Sequence, residues 1–259
     1  MAALECDRNF DDLAMRFRRN IYGSLKGQIR LGVLERDFRE HIPHFLADSS
    51  GLTIADIGAG QAQFSHLLAQ YGASVVLNDI SEQMLQLAKD NFVQDEARLK
   101  IIQCPLQMLS STLSEAKFDL VLCHAVIEWM AQPFTLFKYL RELLKPGAYL
   151  SFTFYNMNGL EYKNLLRTNY KFDADNFRSF RGSLTPWHPQ KPEVMLEHLE
   201  AHGFKTLVKS GIRVFHDYIL DPEQRKREPE QVFAKELEYS QKEPFWQLAR
   251  YIHYLCRYE

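Results

Sequence analysis

The sequence predicts an α/β protein with a doubly wound, mostly parallel sheet of seven strands. Short apolar runs alternate with segments whose apolar residues recur every three or four positions, as strands alternate with amphipathic helices. The first two runs cover 53–57 and 74–80, and a helical pattern over 61–71 separates them. Such alternation requires right-handed crossovers, which give a parallel sheet covered by helices on both faces.

The other elements follow from the same two patterns. Ser81 can cap a helix after the second run, and Lys145-Pro146-Gly147 ends a helix before the fifth. The further strands are predicted at 100–104, 118–124, 148–156, from about Lys205, and at 250–258. The further helices are predicted after Ser81, with Met84, Leu87, Ala88 and Phe92 inside, and at 133–144, 193–202 and 222–241.

The chain divides into four predicted segments. Helical spacing of Leu13, Phe17 and Ile21 marks the first of them. After the fifth strand the alternation stops, and the stretch SLTPWHPQKP contains three prolines that forbid regular structure. The segments are an N-terminal helical cap at 1–50, the first half of the sheet at 51–156, an insertion at 157–192, and the rest of the sheet with a C-terminal helix and final strand at 193–259.

Composition limits the partners and the location. The 259 residues carry a formal charge of −2, so any nucleic-acid site has to be a local patch. There is no apolar stretch of the ~20 residues that a membrane span needs, and no signal-peptide core. The four cysteines lack CxxC spacing, which favours reduced thiols in a cytoplasmic protein without a metal site.

A glycine turn follows the first strand in the stretch IADIGAGQAQ. Gly58 and Gly60 let the backbone approach a ligand closely, and the next helix offers free N–H groups. A dinucleotide site would continue to a third glycine, but Gln63 stands there. This disfavours a nucleotide-binding oxidoreductase, although a mere tight turn is also compatible with two glycines.

Polar residues end two further strands of the predicted sheet. Asp79 follows the second strand, where a carboxylate can accept hydrogen bonds from both ribose hydroxyls, and His124 ends the fourth. Ligands of open parallel sheets bind at these carboxyl ends. An adenosine without a pyrophosphate fits this set. Asp79 as a helix cap and His124 as a satisfied strand-end histidine are the structural alternatives.

The stretch DIGAGQAQFSHLLAQYGASVVLNDIS resembles the S-adenosylmethionine site of class I methyltransferases, which have a Rossmann-like fold. The similarity extends to both ends of the chain. DRNFDDLAMRFRRNIYGSLKGQIR, HAVIEWM, FYNMNGL and GIRVFHDY resemble the tRNA 5-carboxymethoxyuridine methyltransferase family. Its members convert the carboxylate of a modified wobble uridine to its methyl ester, so the resemblance implies S-adenosylmethionine as cofactor and a tRNA anticodon stem-loop as partner.

The resemblance also implies roles for individual residues. Many class I enzymes read the adenine amino group with an acid after the third strand, but here Gln107 and Met108 stand there. Adenine is then expected to be read by backbone or by Gln107. The implied cofactor residues are Arg30 at the methionine part, Gly58, Ala59 and Gly60 in the glycine loop, Asp79 at the ribose, Leu106 beside the adenine, and His124 near the reacting centre.

A carboxylate nucleophile needs no general base, because it is ionised well below pH 7. The stretch HAVIE replaces the NPPY-type motif of amino-group methyltransferases, and the sequence has no obvious base dyad. His124 is therefore interpreted as a positioning residue, and a bidentate arginine as the carboxylate clamp. The candidates are Arg213 for the clamp, with His216, Tyr155 and Tyr22 in support; an ion pair for Arg213 and a core position for Tyr155 are the alternatives.

Cations and aromatics alternate in the insertion, as suits phosphates and unstacked bases of a single-stranded loop. The residues are Lys163, Arg167, Lys171, Arg178 and Arg181 with Tyr162, Tyr170, Phe172, Phe177 and Phe180, and Arg16, Arg18, Arg19 and Lys26 add charge from the N-terminal segment. A solvated lid is the simpler alternative. The sequence also leaves open a small-molecule O-methyltransferase and an RNA-binding module without turnover.

Overall fold

The computed structural model describes residues 6–14, 24–113, 116–177, 179 and 185–259. Within this part of the chain seven strands form a single sheet. The strands are β1 Thr53–Ile57, β2 Ser74–Asp79, β3 Leu99–Gln103, β4 Phe118–His124, β5 Leu144–Tyr155, β6 Phe204–Ile212 and β7 Tyr251–Tyr258.

Helices connect most of these strands. The helices that the structure describes are α1 Leu25–His41, α2 Gln63–Gln70, α3 Glu82–Asn91, α4 Leu106–Thr112, α5 Leu136–Leu143, α6 Met157–Leu166, α7 Pro192–Ala201, α8 Pro222–Arg227 and α9 Pro229–Tyr239. None of the described helices is long and apolar enough to cross a membrane. The four cysteines are free.

The sheet has the strand order β3-β2-β1-β4-β5-β7-β6. The first five strands pair in parallel, whereas β7 runs antiparallel between β5 and β6. The order reverses between β1 and β4, so a crevice opens at their carboxyl ends. The predicted doubly wound, mostly parallel, seven-stranded sheet is confirmed, with the antiparallel strand as the exception.

The central strands are apolar on both faces because helices cover both sides of the sheet. In β4, Val121 and Cys123 pack into one hydrophobic cluster and Leu120 and Leu122 into the other. All four side chains are fully buried. This is why a central parallel strand reads as a continuous apolar run and not as an alternation.

The predicted cap of α3 is confirmed, since the Met84 amide donates to Ser81 Oγ at 3.1 Å. The expected inner face differs in one position: Leu85 is 4% exposed, whereas Leu87 is only partly buried. The buried face of α3 is thus turned slightly from the expected one. The way the helix docks on the sheet decides which of its apolar side chains are covered.

Several boundaries differ from the prediction. Residues 7–10 are not helical and 11–13 form a turn, in which the Asn9 side chain accepts the Asp11 amide at 2.8 Å. Such Asx turns compete with helix formation. Phe17 and Ile21 lie outside the described residues. The strand β5 begins at Leu144, ahead of the Lys-Pro-Gly stretch that was expected to precede it.

The insertion and the C-terminal helix also differ. The first third of the insertion, α6, is helical, capped by Asn156, which accepts the Asn158 amide at 3.1 Å. The single helix expected at 222–241 is two helices, because Pro229 begins α9 and the residue before a proline avoids helical geometry. The short helix α4 was not predicted, because its seven residues carry too little periodicity.

Core packing predicts a large difference between two leucines. Leu150 is fully buried in β5, whereas Leu220 is 62% exposed. Leu150→Ala is expected to lower the free energy of unfolding by about 2–5 kcal/mol, because it removes buried methyl groups and leaves a cavity. Leu220→Ala should change it by less than about 0.5 kcal/mol. Urea unfolding of both variants measures this, and equal losses would contradict the packing described.

Candidate active site

The glycine turn after β1 packs against the loop that follows β4. Gly58 and Gly60 have φ angles of +59° and +54°, which side chains rarely adopt. A Cβ on Gly58 would lie 2.5 Å from Val126 Cγ2, so a substitution there meets both strain and a clash. The Ala59 amide donates to Asn78 O at 3.0 Å and ties the turn to β2. Glycine is therefore required at position 58 by geometry.

Asp79 at the end of β2 fixes the same turn. Its Oδ2 accepts the Gly60 amide at 3.0 Å, and its Oδ1 accepts the Ser81 amide at 2.9 Å. Burial raises the pKa of Asp79, although these backbone donors oppose the rise. Each oxygen has one protein donor and keeps capacity for a second. The carboxylate can therefore organise the loop and accept hydrogen bonds from a ligand.

A cleft of about 550 Å³ lies beside Asp79. Leu106, the first residue of α4, forms part of its wall and is 6% exposed. The lining comprises Asp7, Arg8, Phe10, Ile57, Gly58, Asn78, Asp79, Ile80, Leu106, Ala125, Val126, Trp129 and Met130. A mostly apolar wall with two carboxylates, one of them Asp79 at the end of β2, suits an adenosine.

Residues 6–14 form a strap across this cleft. Asp7 Oδ1 accepts the Ala131 amide at 2.8 Å, and Asp7 Oδ2 accepts Gln107 Nε2 at 3.1 Å. Phe10 packs edge-on against Trp129, with ring centroids 4.9 Å apart. The acid that the sequence lacked after β3 is thus supplied next to α4 by the N-terminal strap. Sequence reasoning missed Asp7, although it lies in the DRNFDD stretch.

A second cleft of about 510 Å³ lies on the other side of the glycine turn. Gly58 borders both clefts, and Arg30, Phe64 and His124 line the second. Gln63, also in its wall, has a buried Oε1 without a hydrogen-bond partner in the described part of the chain. An unsatisfied acceptor beside an arginine fits the amino-acid end of S-adenosylmethionine, with its ammonium and carboxylate groups.

His124 closes the inner end of this second cleft. Its Nε2 lies 2.8 Å from Ser151 Oγ. Burial, with help from the positive charge of Arg30, holds the pKa of His124 well below its usual value. The imidazole is therefore neutral at physiological pH and a weak base.

A group of cations surrounds a single carboxylate beyond β7 and β6. Arg213 Nη1 and Arg250 Nε lie 3.4 Å and 3.7 Å from Asp217 Oδ2. Although burial opposes it, Arg213 and then His216 and Arg250 hold the pKa of Asp217 well below its usual value. Burial lowers the pKa values of Lys26 and Lys163, and both are close enough for the charges of both arginines to lower them further. We call these four side chains the cation cluster: Lys26, Lys163, Arg213 and Arg250. Their total positive charge exceeds the negative charge of Asp217.

Two hydrogen-bond donors in this region lack an acceptor. Arg250 Cζ lies 4.5 Å from the centre of the Tyr155 ring. Arg250 Nη1 and Tyr155 Oη are both buried and have no hydrogen-bond partner among the described residues. Unpaired buried donors are costly, so an acceptor from a ligand fits between them.

Tyr251 connects the cation cluster with the second cleft. Its ring lies 5.2 Å from Arg213 Cζ on one side and 5.9 Å from Arg30 Cζ on the other. Tyr155 pairs with Tyr251 across β5 and β7, and their ring centroids are 5.2 Å apart. An anion held by the cation cluster would thus lie beside the residues that line the second cleft.

Lys163, a member of the cation cluster, and Glu128 have shifted pKa values. Burial raises the pKa of Glu128 to about 8, and both carboxyl oxygens are buried without a partner in the described chain. Burial and the charge of Arg250 lower the pKa of Lys163 to about 8. Near pH 7 Glu128 is then mostly neutral and Lys163 mostly charged, so both favour an anionic ligand.

The structure brings Tyr155, Arg213 and His216, three of the predicted substrate-binding residues, to the cation cluster. Tyr155 lies at the end of β5, and Arg213 follows β6 with φ +62°. His216 is 4% exposed, with its Nδ1 3.0 Å from Asp217 Oδ1, so it supports the cluster from behind. Tyr22 lies outside the described residues. Sequence reasoning missed Arg250 and Glu128, which lie in the apolar stretches LARYIHY and HAVIEWM.

A methyltransferase domain family matches residues 55–152. The fold has several solved relatives of low identity. A putative S-adenosylmethionine-dependent methyltransferase from Listeria monocytogenes has a TM-score of 0.61 at 14% identity, covering 90% of this chain and 99% of its own. Magnesium protoporphyrin IX methyltransferase from Synechocystis PCC 6803, with bound SAH, has a TM-score of 0.62 at 16% identity and 96% coverage of both chains.

Sequence similarity extends over nearly the whole chain. Ubiquinone biosynthesis O-methyltransferase of Coxiella burnetii is 30% identical over 108 residues, 42% of this chain and 45% of that protein. The tRNA 5-carboxymethoxyuridine methyltransferase of Escherichia coli K12 is 37% identical over 258 residues, 97% of this chain and 96% of the relative. The chain is thus an S-adenosylmethionine-dependent methyltransferase, and it belongs to the tRNA 5-carboxymethoxyuridine methyltransferase family.

Proposed function

We propose that the protein transfers a methyl group from S-adenosylmethionine to the carboxylate of 5-carboxymethoxyuridine at the wobble position of tRNA, giving the methyl ester. The relative that covers 97% of this chain is named for action on that nucleoside. The observation that carries the proposal is the pair of unsatisfied donors at the cation cluster, Arg250 Nη1 and Tyr155 Oη. A tRNA substrate places the reaction in the cytoplasm.

The two clefts divide the cofactor between them. We assign the adenosine to the cleft beside Asp79, whose carboxylate accepts from the ribose hydroxyls, with Leu106 against the adenine. The methionine part goes to the second cleft, where Arg30 faces its carboxylate. Gly58, Ala59 and Gly60 lie at the junction, and His124 lies at the inner end toward the reacting centre.

The proposed chemistry needs positioning and no general base. Bound S-adenosylmethionine supplies an electrophilic methyl group on a positively charged sulfur. The substrate carboxylate is already ionised, so no protein group has to remove a proton. The chain's contribution is to hold the carboxylate in line, to neutralise its charge and to exclude water. The buried ring of Tyr155 and the partly buried ring of Tyr251 supply the dry wall of the site.

Arg250 is the clamp that the geometry favours, with Arg213 beside it. Arg213 shares Asp217 with Arg250, but Arg250 also has the free Nη1. A guanidinium fork matches a carboxylate in geometry, and Tyr155 Oη can donate to the same anion. Tyr22, which was expected to help close the pocket, lies outside the described residues.

The insertion supplies part of the proposed tRNA surface. Arg167, Tyr170 and Lys171 are exposed and available to phosphates and bases. Phe172 and Phe177 pack against the small core of Tyr155, Met157 and Leu160, so they support the site and do not stack on bases. Arg16, Arg18, Arg19, Arg178, Phe180 and Arg181 lie outside the described residues.

A small-molecule O-methyltransferase is the second candidate. The similarity to the ubiquinone enzymes favours it, but that similarity spans only 42% of this chain. Labelled cofactor incubated with tRNA in one reaction and with a metabolite extract in another distinguishes the two candidates. The proposal itself is tested by mass spectrometry of wobble nucleosides from cells with and without the gene. Loss of the methyl ester, with accumulation of the free acid, is expected on deletion; an unchanged nucleoside profile would refute the proposal.

Asp79→Ala is expected to weaken S-adenosylmethionine binding. It removes charge-assisted hydrogen bonds to ribose and releases the Gly60 amide. Allowing for water that refills the gap, about 2–3 kcal/mol is lost, which is roughly 30- to 150-fold in the dissociation constant. Calorimetry measures this, with Asp90→Ala on the exposed side of α3 as the matched control. An unchanged constant would place Asp79 outside the site.

Arg250→Lys is expected to impair methylation of tRNA while leaving the cofactor dissociation constant unchanged. Lysine keeps a positive charge near Asp217 but cannot form the planar fork. Because the variant loses a hydrogen bond to a charged group, its kcat/KM for tRNA should fall about 10- to 100-fold. Arg257→Lys, at the exposed far end of β7, is the matched control. Wild-type kinetics in Arg250→Lys would move the clamp to Arg213.

The methyl-transfer rate is expected to fall above about pH 8. The nucleophile ionises near ~4, so its protonation plays no part in this range. Glu128 gains a negative charge above its pKa of about 8, and Lys163 loses its positive charge above a pKa of about 8; both changes disfavour a bound carboxylate. Single-turnover rates across this range measure it, and Glu128→Gln should lessen the alkaline fall. A tenfold rise per pH unit near ~7 would instead indicate an essential base such as His124.

A further inference from the structure

Three buried side chains and the half-buried His124 form a hydrogen-bond chain from helix α1 to the second cleft. His253 Nδ1 lies 2.7 Å from Asp37 Oδ2, and His253 Nε2 lies 2.9 Å from Ser151 Oγ. The same hydroxyl lies 2.8 Å from His124 Nε2. Asp37, Ser151 and His253 are fully buried, so water does not compete for these bonds.

The first member of the chain is an acceptor only. Asp37 Oδ1 accepts from Arg36 Nη2 at 2.7 Å and from Gln241 Nε2 at 3.1 Å. Although burial opposes it, His253 and Arg36 hold the pKa of Asp37 below its usual value. The carboxylate is therefore ionised, and its charge is already balanced by Arg36. Its other oxygen, Oδ2, therefore accepts a hydrogen bond from His253 Nδ1.

The direction of the remaining bonds follows from this start. A second positive charge on fully buried His253 has no further anion to balance it, because Asp37 is shared with Arg36. Neutral His253 with hydrogen on Nδ1 has a lone pair on Nε2, so Ser151 donates to it. The Ser151 oxygen then accepts a hydrogen bond from the N–H group at His124 Nε2. Neutral His124 is left with a lone pair on Nδ1.

We infer that Asp37, His253 and Ser151 are positioning residues that fix the tautomer of His124, so that His124 Nδ1 is a hydrogen-bond acceptor for the ammonium group of the bound cofactor. His124 lines the second cleft together with Arg30, and Nδ1 has no partner in the described part of the chain. Arg30 matches the carboxylate of the amino-acid end. The ammonium group needs acceptors, and His124 Nδ1 and Gln63 Oε1 supply two.

The opposite direction would have the opposite effect. If His253 carried a hydrogen on Nε2, it would donate to Ser151, and Ser151 would donate to His124 Nε2. The hydrogen of His124 would then be on Nδ1, facing the cleft. An N–H group there would repel an ammonium group. The donor–acceptor direction of the hydrogen bonds in this chain thus decides whether the second cleft favours the ammonium group of an amino acid.

The wild-type protein tests the inference directly. Nuclear magnetic resonance of ¹⁵N-histidine-labelled protein without cofactor distinguishes the two tautomers of each ring. His124 is expected to carry hydrogen on Nε2 and His253 on Nδ1. His124→Gln and His253→Gln assign the signals. Hydrogen on Nδ1 of His124 would overturn the inference.

Asp37→Asn reverses the chain. Arg36 and Gln241 donate to one oxygen of Asp37, so the new amide nitrogen has to turn toward His253. It then donates to Nδ1, and the hydrogen moves to Nε2, with the same reversal at His124. The affinity for S-adenosylhomocysteine should fall about 10- to 100-fold, because a hydrogen bond to a charged group is replaced by repulsion.

Two controls separate this effect from general damage. 5′-Methylthioadenosine lacks the ammonium group, so Asp37→Asn should change its affinity by less than about twofold. Ser210→Ala removes another buried hydroxyl that binds Arg36 at 3.0 Å but lies outside the chain, and it should leave both ligands unaffected. Equal losses for both ligands in Asp37→Asn, or no loss for S-adenosylhomocysteine, would overturn the inference.

Discussion

The antiparallel pairing of β7 with β5 is the constraint on which both halves of the site depend. It places Tyr251 opposite Tyr155 and so brings Arg250, the residue before β7, over the Tyr155 ring. The same register places His253 opposite Thr153, beside Ser151. A shift by one residue would turn these side chains to the other face of the sheet. One strand pairing therefore positions the proposed substrate clamp and the support of His124.

Charge balance distinguishes the two ends of the site. Around Asp37, Arg36 compensates the carboxylate, and His253 occupies its other oxygen. Around Asp217, the cation cluster exceeds the single carboxylate. Excess positive charge with unsatisfied donors is costly without a ligand, so it is retained where an anion binds. The first arrangement gives a fixed geometry, whereas the second is complementary to a charged substrate.

The N-terminal strap shows how far a local pattern can mislead. Helical spacing through Leu13 predicted a helical segment here, but residues 7–13 are not helical, and Asp7 and Phe10 hold them against the cleft. Propensity is a weak prior when tertiary contacts decide, and the Asn9 side chain offered the backbone an alternative bond. The strap also supplies an acid beside α4, where the sequence after β3 contains only Gln107 and Met108.

The sequence by itself determined the order of the strands and of most helices, the glycine turn, and the strand-end positions of Asp79 and His124, because strand ends and turns depend on local chemistry. It could not determine which residues from 100 or more positions away meet them. Arg250 and Glu128 lie within apolar stretches and carry no local signal, and Asp37 is separated from His253 by 216 residues. Only the tertiary structure decided these contacts, since sheet register and helix docking are set by packing of the whole core and not by neighbouring residues.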